Sequence, residues 1–243
     1  MKKKIGVFDS GIGGLNVLND LIEKYPSEDF LYLADTKNCP YGLKTSEEVK
    51  NITEKNIRFL EKQNVKAIVI ACNTATANSY DITSSVPIIR IIEPTSKNAK
   101  AVGGVIGVLA TNLTISKKAY QRFLPEAIGI PASVLVDIAE SGLAGTEKSY
   151  QVLEDLLNPY QGKLDTLILG CTHFTLYTKQ IKSILKNVHI VDSSLSISKV
   201  LGNYMQIEND GIGEVKILTT GNPQELNINW FNRKDVEVYN VVI

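Results

Sequence analysis

Short, continuously apolar runs alternate along this chain with segments that have the periodicity of amphipathic helices. Parallel strands covered on both faces are apolar throughout, whereas strands with one solvated face alternate apolar and polar residues. Such strands alternating with helices predict an α/β fold with mostly parallel sheets. The predicted strands are Ile5–Phe8, Phe30–Ala34, Ala67–Ala71, Val105–Ala110, Val134–Val136, Thr166–Leu169, Val188–Val191 and Val215–Leu218.

The clearest helix prediction covers residues 46–63, where apolar side chains recur near one stripe of a helical surface. Thr45 and Glu48 precede and open this segment with the spacing of a capping box. After the last predicted strand, the chain has a helix-like segment ending near Trp230 and an apolar run around Val236–Val241.

Two pairs of short motifs suggest that the chain contains two similar halves. IGVFDS at 5–10 resembles IGVLAT at 106–111, and IACNT at 70–74 resembles LGCTH at 169–173. Both pairs are separated by nearly the same length of chain, which chance similarity between strand–turn–helix units does not require. We therefore predict two α/β domains related by a pseudo-two-fold axis, with a site in the cleft between them.

The second pair of motifs places Cys72 and Cys171 at matching points, each directly after a buried strand. Ligands of α/β folds bind at the carboxyl ends of parallel strands. The residues that follow both cysteines suit a helix N-terminus, which binds anions and lowers the pKa of a thiol. The two thiols are thus predicted to face each other across the cleft.

Two opposed thiols indicate a different reaction from a single cysteine beside a histidine, which would suggest acyl transfer through a thioester. One thiolate removes a proton from carbon and the opposite thiol delivers a proton to the other face, which inverts a stereocentre. Asp9 and His173 lie near the two strand ends and are candidates to tune the thiols or relay protons. The alternative is that both cysteines only fill core space.

The composition and motifs do not fit several other classes of protein. Lys+Arg and Asp+Glu both number 26, so no basic nucleic-acid-binding surface is expected. Three cysteines without a Cys-x-x-Cys pair predict neither a zinc site nor a disulfide framework. SGIGG at 10–14 lacks the Lys-Ser/Thr of a phosphate-binding loop. The apolar run after the N-terminal lysines is too short for a signal peptide or membrane span, so we predict a cytoplasmic protein.

The motifs VFDSGIGGLNVL, DTKNCPYG, ACNTATA and LGCTHFTL together resemble those of the bacterial glutamate racemases in the aspartate/glutamate racemase superfamily. The similarity runs from residue 5 to about residue 205. The resemblance implies two α/β domains, interconversion of L- and D-glutamate for peptidoglycan synthesis, and no cofactor or metal. It implies glutamate as the ligand and leaves a homodimer open. The charge balance and the short apolar run predict neither nucleic acid nor a membrane as a partner.

The resemblance also implies roles for individual residues. Cys72 and Cys171 match the two bases, with Cys72 acting on D-glutamate and Cys171 on L-glutamate. A glutamate that assists catalysis in the family matches Glu140, and Asp9 and His173 are implied to assist as well. The implied substrate contacts are Asp9, Ser10, Tyr41, Gly42, Asn73, Thr74, Thr172 and His173.

The third cysteine and the domain bounds can also be interpreted from the sequence. Cys39 has no counterpart in the other half and is predicted to be a bystander. The first domain is expected to hold residues 1–95 together with 206–243, and the second to hold 96–205. Two alternatives stay open: a racemase of the same fold that acts on aspartate or another acidic amino acid, and a non-catalytic amino-acid-binding or regulatory module.

Overall fold

The computed structural model describes residues 2–226, 228, 231, 233 and 236–243. The helix-like segment predicted near Trp230 ends outside the described residues. The strands of the described chain are β1 (Lys4–Asp9), β2 (Phe30–Ala34), β3 (Val65–Ile70), β4 (Ile88–Arg90), β5 (Ile106–Ala110), β6 (Ile128–Pro131), β7 (Thr166–Gly170), β8 (His189–Asp192), β9 (Val215–Thr219) and β10 (Val238–Asn240).

Helices follow most of the strands. They are α1 (Leu15–Lys24), α2 (Ser46–Glu61), α3 (Asn73–Ala77), α4 (Ile92–Val102), α5 (Asn112–Ser116), α6 (Val134–Glu140), α7 (Glu147–Leu157), α8 (Thr178–Leu185) and α9 (Ser193–Ser198). Short 3-10 helices cover Thr36–Asn38, Tyr41–Leu43, Asn158–Tyr160, Thr172–Tyr177, Leu201–Asn203 and Pro223–Glu225.

The strands form two parallel sheets, as the apolar runs predicted. The first sheet has the order β10-β9-β2-β1-β3-β4 and the second has the order β6-β5-β7-β8. The order β2-β1-β3-β4 is repeated as β6-β5-β7-β8, with each strand replaced by its counterpart in the other half. The internal repeat of the sequence thus corresponds to a repeat in topology, and the predicted α/β fold with two similar sheets is confirmed.

The C-terminal segment adds strands to the first sheet. β9 pairs in parallel with β2, from Phe30 opposite Val215 to Ala34 opposite Thr219, and β10 pairs with β9. One apolar core is shared by the two sheets, because it contains Ile5 and Val7 of β1 together with Val108 of β5. The domain bounds predicted above stay predictions.

One predicted strand is wrong. Val134–Val136 lies at the beginning of helix α6, and this run of three aliphatic residues is too short to distinguish a strand from a helix. Leu135 and Ile138 are buried while Val134 is exposed, which is the three-residue spacing of a helix. Strands β4 and β6 were not predicted, because both are short and β4 follows a proline while β6 contains one.

The helix predicted over 46–63 is confirmed as α2, together with its capping box. The Thr45 side chain accepts a hydrogen bond from the Glu48 backbone N–H, and the Glu48 carboxylate accepts one from the Thr45 backbone N–H. Among the described residues, no helix combines the length and the apolar character needed to cross a membrane.

Candidate active site

The two cysteines of the repeated motif occupy matching places. Cys72 lies two residues beyond the end of β3 and Cys171 directly follows β7, and both side chains are buried. They line the same small cavity, which lies where strands of the two sheets end. Seven of the predicted contact residues also line this cavity, namely Ser10, Tyr41, Gly42, Asn73, Thr74, Thr172 and His173.

The Cys72 thiol lies at the beginning of α3. Its sulfur accepts a hydrogen bond from the Ala75 backbone N–H at 3.4 Å and lies 3.7 Å from the Ser10 hydroxyl oxygen. Burial nevertheless raises the pKa of Cys72, and the negative charge of Asp9 raises it further. The Ala75 N–H at the helix N-terminus lowers the pKa as expected, but desolvation of the thiolate and the charge of Asp9 outweigh this donor.

The Cys171 thiol is the first member of a chain of polar groups. Its sulfur lies 3.7 Å from His173 Nδ1, and His173 Nε2 lies 2.6 Å from Oε1 of Glu140. Burial lowers the pKa of His173, but its hydrogen bonds with Cys171 and Glu140 outweigh burial and leave the pKa well above its ordinary value. The same hydrogen bond from His173 lowers the pKa of Glu140. The protonated imidazole and the carboxylate therefore stabilise each other.

Asp9 ends β1 and is fully buried. Its Oδ2 accepts hydrogen bonds from the backbone N–H groups of Gly11 at 3.2 Å and Gly14 at 3.0 Å. The Thr172 hydroxyl of the other half approaches the same carboxylate at 3.5 Å. Burial raises the pKa of Asp9, and the nearby charge of His173 opposes that effect. The carboxylate is thus held in place by backbone donors, without a lysine or arginine ion pair in the described chain.

The glycine-rich turn after β1 permits this arrangement. A Cβ atom on Gly14 would lie 2.4 Å from Asp9 Cβ and 2.7 Å from the hydroxyl oxygen of Tyr32. A Cβ atom on Gly13 would lie 2.5 Å from Thr172 Oγ1. Real Cβ atoms do not approach other atoms so closely, so only glycine lets this turn pack between Asp9 and the second half.

A cluster of threonine hydroxyls joins the two halves beside the cavity, which Thr74 and Thr111 line. Thr74 Oγ1 lies 3.0 Å from Thr111 Oγ1, which lies 2.9 Å from Thr114 Oγ1. All three side chains are buried. The neighbouring Asn73 accepts a hydrogen bond on Oδ1 from the Tyr120 hydroxyl at 2.7 Å.

The model of the Asp/Glu/Hydantoin racemase family matches residues 15–196. The chain belongs to this family. It is 39% identical to the glutamate racemase of Aquifex pyrophilus over 226 residues, which cover 89% of this chain and 88% of that protein. The resemblance to the glutamate racemases that the motifs predicted is thereby confirmed.

Solved structures of racemases agree with the sequence comparison. The glutamate racemase isoform RacE1 of Bacillus anthracis has a TM-score of 0.93 and 31% identity, covering 99% of this chain and 98% of that chain. The glutamate racemase of Francisella tularensis in complex with D-glutamate has a TM-score of 0.91 and 29% identity, covering 100% of this chain and 98% of that chain. The two-sheet architecture of this racemase-family chain is therefore that of the glutamate racemases.

In this member of the racemase family, Tyr41 lines the cavity, and its hydroxyl is bound to a buried residue that does not line it. It donates to the buried Asp35 carboxylate, which also accepts from Asn56 Nδ2 at 3.2 Å and from the Thr220 hydroxyl at 2.7 Å. Gly42 follows at the cavity wall. The buried Asp35 carboxylate thus holds in place the segment that carries the predicted contacts Tyr41 and Gly42.

Sequence reasoning missed three residues that line the cavity: Pro40, Thr111 and Val136. A signal for Thr111 was present, because IGVLAT at 106–111 places it opposite Ser10 of IGVFDS in the internal repeat. Val136 was missed because it was assigned to a strand instead of helix α6. Nothing in the sequence pattern alone distinguished Tyr120, which contacts Asn73 from a loop of the second half.

Cys39 lies beside the same group of residues. Its half-buried sulfur is 3.6 Å from Oε1 of Glu140, the oxygen that also contacts His173. Burial raises the pKa of the Cys39 thiol, and the negative charge of Glu140 raises it further. Within the described ranges, no group of three or more His, Cys, Asp and Glu side chains is arranged to hold a metal ion.

Proposed function

We propose that this protein interconverts L-glutamate and D-glutamate by transferring protons between two cysteines and the α-carbon. The observation that carries the proposal is the placement of Cys72 and Cys171 at corresponding strand ends on one cavity. The family membership and the similarity to glutamate racemases support glutamate as the substrate. The two cysteines come from halves with the same strand order, and inversion of a stereocentre requires proton-transferring groups on opposite faces of the α-carbon.

The proton transfers balance without any other reactant. With D-glutamate bound, the Cys72 thiolate takes the α-proton, the Cα–H bond breaks, and its electron pair stays on the α-carbon. The Cys171 thiol then gives its proton to the opposite face, which yields L-glutamate and a Cys171 thiolate. With L-glutamate the two cysteines exchange roles. Each direction therefore regenerates the thiolate that the other direction needs.

The charged neighbours prepare the thiols for these steps. The carboxylate of Asp9 disfavours a thiolate at Cys72 in the empty site, and the substrate ammonium group, bound near Asp9, offsets that charge. On the other side, Nδ1 of the His173 imidazole lies 3.7 Å from the sulfur of Cys171, the atom on which charge forms when L-glutamate is produced. Glu140 holds this imidazole in its charged form.

The remaining predicted contacts supply donors for the two substrate carboxylates. Ser10, Asn73 and Thr74 lie on the side of Cys72, and Thr172 lies on the side of Cys171. Tyr41 and Gly42 line the same cavity. Neutral hydroxyl, amide and backbone N–H groups bind a carboxylate without adding a countercharge that would also hold the product tightly.

The proposal includes no cofactor and no metal, because the two thiols and the charged neighbours account for both proton transfers. The product D-glutamate is proposed to supply peptidoglycan synthesis in the cytoplasm. We also propose that residues 1–95 and 206–243 form the first domain and that residues 96–205 form the second. Whether the protein forms a homodimer stays an open question.

Incubation of the purified protein with L-glutamate tests the function, with optical rotation or chiral chromatography as the readout. We expect approach to a racemic mixture from either enantiomer. The same assay with L-aspartate distinguishes a racemase for another acidic amino acid. Binding of glutamate without inversion would contradict the proposal and favour an amino-acid-binding module.

A further inference from the structure

The amide of Asn73 has one paired end and one unpaired end. Its Oδ1 accepts a hydrogen bond from the Tyr120 hydroxyl at 2.7 Å. Its Nδ2 is buried and has no hydrogen-bond partner among the described residues. Asn73 directly follows Cys72, lines the cavity and is only 2% exposed. A buried amide donor without a partner is costly, so its place at the cavity indicates a partner on the ligand.

Tyr120 reaches this amide from the second half, where it lies between α5 and β6. The side chain is buried, with 1% of its surface exposed. Its ring also lies against the end of β7, since a Cβ atom on Gly170 would be 3.1 Å from Tyr120 Cε2. Tyr120 thus lies beside the residue before Cys171 and donates a hydrogen bond to the residue after Cys72.

We propose that Tyr120 is a positioning residue that orients the Asn73 amide so that Nδ2 donates to the substrate carboxylate. This inference rests on the proposed function. The two ends of an amide have opposite hydrogen-bonding character. The Tyr120 O–H group holds Oδ1 away from the ligand, whereas an amide rotated by half a turn would present an acceptor to a carboxylate and repel it.

The geometry also predicts which kinetic constant depends on Tyr120. The α-carboxylate is common to both enantiomers, and only the α-hydrogen changes faces. A hydrogen bond that positions the carboxylate contributes to binding in both directions alike. Removal of the Tyr120 hydroxyl should therefore weaken the binding of L- and D-glutamate by the same factor. Loss of a base would instead abolish turnover.

The experiment compares the parent with Tyr120→Phe, which removes the hydroxyl and keeps the ring against Gly170. We expect KM for both enantiomers, and the Kd of D-glutamate measured by calorimetry, to rise about tenfold, the effect of weakening one hydrogen bond to a charged group. kcat should change far less. In the Asn73→Ala background, Tyr120→Phe should have no further effect on KM, because its effect passes through the amide.

Tyr25→Phe is the matched control. The Tyr25 hydroxyl also joins the two halves, donating to the Ser198 carbonyl at 2.9 Å, but it lies away from the cavity. This variant should keep the parent KM. An unchanged KM and Kd in Tyr120→Phe would overturn the inference, and so would additive effects of Tyr120→Phe and Asn73→Ala. Racemisation by the parent protein would still support the proposed function in either case.

A second comparison does not depend on the folding of Tyr120→Phe. Asn73→Ala removes the donor, whereas Asn73→Asp replaces it by a carboxylate oxygen facing the ligand. Binding of D-glutamate should therefore be weaker in Asn73→Asp than in Asn73→Ala, and the reverse order would contradict the proposed orientation. If the parent failed to racemise glutamate but bound D-glutamate, calorimetry on these variants would test the orientation separately from the function.

Discussion

His173 Nε2 lies 2.6 Å from Glu140 Oε1, although the two residues come from different elements of the second half. Glu140 ends helix α6, and His173 follows β7 in the 3-10 helix Thr172–Tyr177. Each group stabilises the charged form of the other: the pKa of His173 is raised and that of Glu140 is lowered. The titratable groups that face this pair are Asp9, Cys171 and Cys39.

Glu140→Gln should therefore lower the pKa of His173, because the neutral amide no longer stabilises the imidazolium. Proton NMR of the imidazole resonances over a pH series measures the shift, with the signal of exposed His189 as an internal reference. An unchanged His173 titration in Glu140→Gln would mean that the pair is not charged in solution.

The stability of the fold should depend on the same pair. The contribution of a raised pKa at His173 is fully present below its unfolded value, about 6.5, and is lost as pH rises through the folded value. The contribution of a lowered pKa at Glu140 is present above its unfolded value, about 4.3, and is lost as pH falls through the folded value. Urea denaturation should show the largest deficit of Glu140→Gln between these two pH values.

Cys72→Ser and Cys171→Ser test the proposed two-base chemistry. A serine hydroxyl is far less acidic than a thiol, so each variant loses one base and should lose racemisation in both directions. Calorimetry should show that each variant still binds D-glutamate, because the proposed donors to the substrate carboxylates remain.

The thiol that survives in each serine variant can still remove the α-proton from one enantiomer and return a solvent-derived proton to the same face. In deuterated water, we therefore expect slow exchange without inversion, with D-glutamate preferred when Cys72 survives and L-glutamate when Cys171 survives. Substantial racemisation by either variant would rule out these cysteines as the essential bases.

Cys39→Ala should racemise glutamate at close to the parent rate. The Cys39 sulfur contacts the carboxylate of Glu140 at 3.6 Å, but it does not line the cavity that holds the other two cysteines. Initial rates from both enantiomers measure the effect. A thousandfold loss with an intact fold, judged by circular dichroism, would mean that the bases are misassigned.

Gly14→Ala should lower the free energy of unfolding by about 1–3 kcal/mol, the usual cost of an atom forced into a packed interior. The added Cβ would lie 2.4 Å from Asp9 Cβ, so the carboxylate must move and activity should fall as well. Gly202→Ala is the control, since its Cβ would have no neighbour closer than 3.6 Å. Equal melting temperatures for the two variants would refute the packing argument.

Activity should survive exhaustive dialysis against a chelator and treatment with a carbonyl reagent. The proposed mechanism uses only thiols and their charged neighbours, so neither a metal ion nor pyridoxal phosphate takes part. The rate before and after treatment is the measurement. Lost activity that a metal or pyridoxal phosphate restores would contradict the mechanism.

Local sequence determined most of the sheet framework and the position of the two cysteines on it. Runs such as Phe30–Ala34 are apolar throughout because both faces of a parallel strand are covered, so their burial can be predicted from their residue types. The motif pair around Cys72 and Cys171 placed both thiols directly after strands. Local pattern failed where strands were short, at β4 and β6, and where three β-branched or aliphatic residues opened helix α6 instead of a strand.

Tertiary structure decided which polar groups meet. The sequence named Glu140 through family resemblance and His173 through its motif, but their contact depends on how α6 packs beside the end of β7. Tyr120 lies in no motif that the sequence revealed, and its hydrogen bond to Asn73 forms because the two halves pack against each other. Periodicity and strand-end chemistry are local properties of a chain, whereas a hydrogen bond between distant residues requires the packing of whole elements. For that reason the sequence predicted where the thiols lie, and only the folded chain showed which groups hold and tune the site around them.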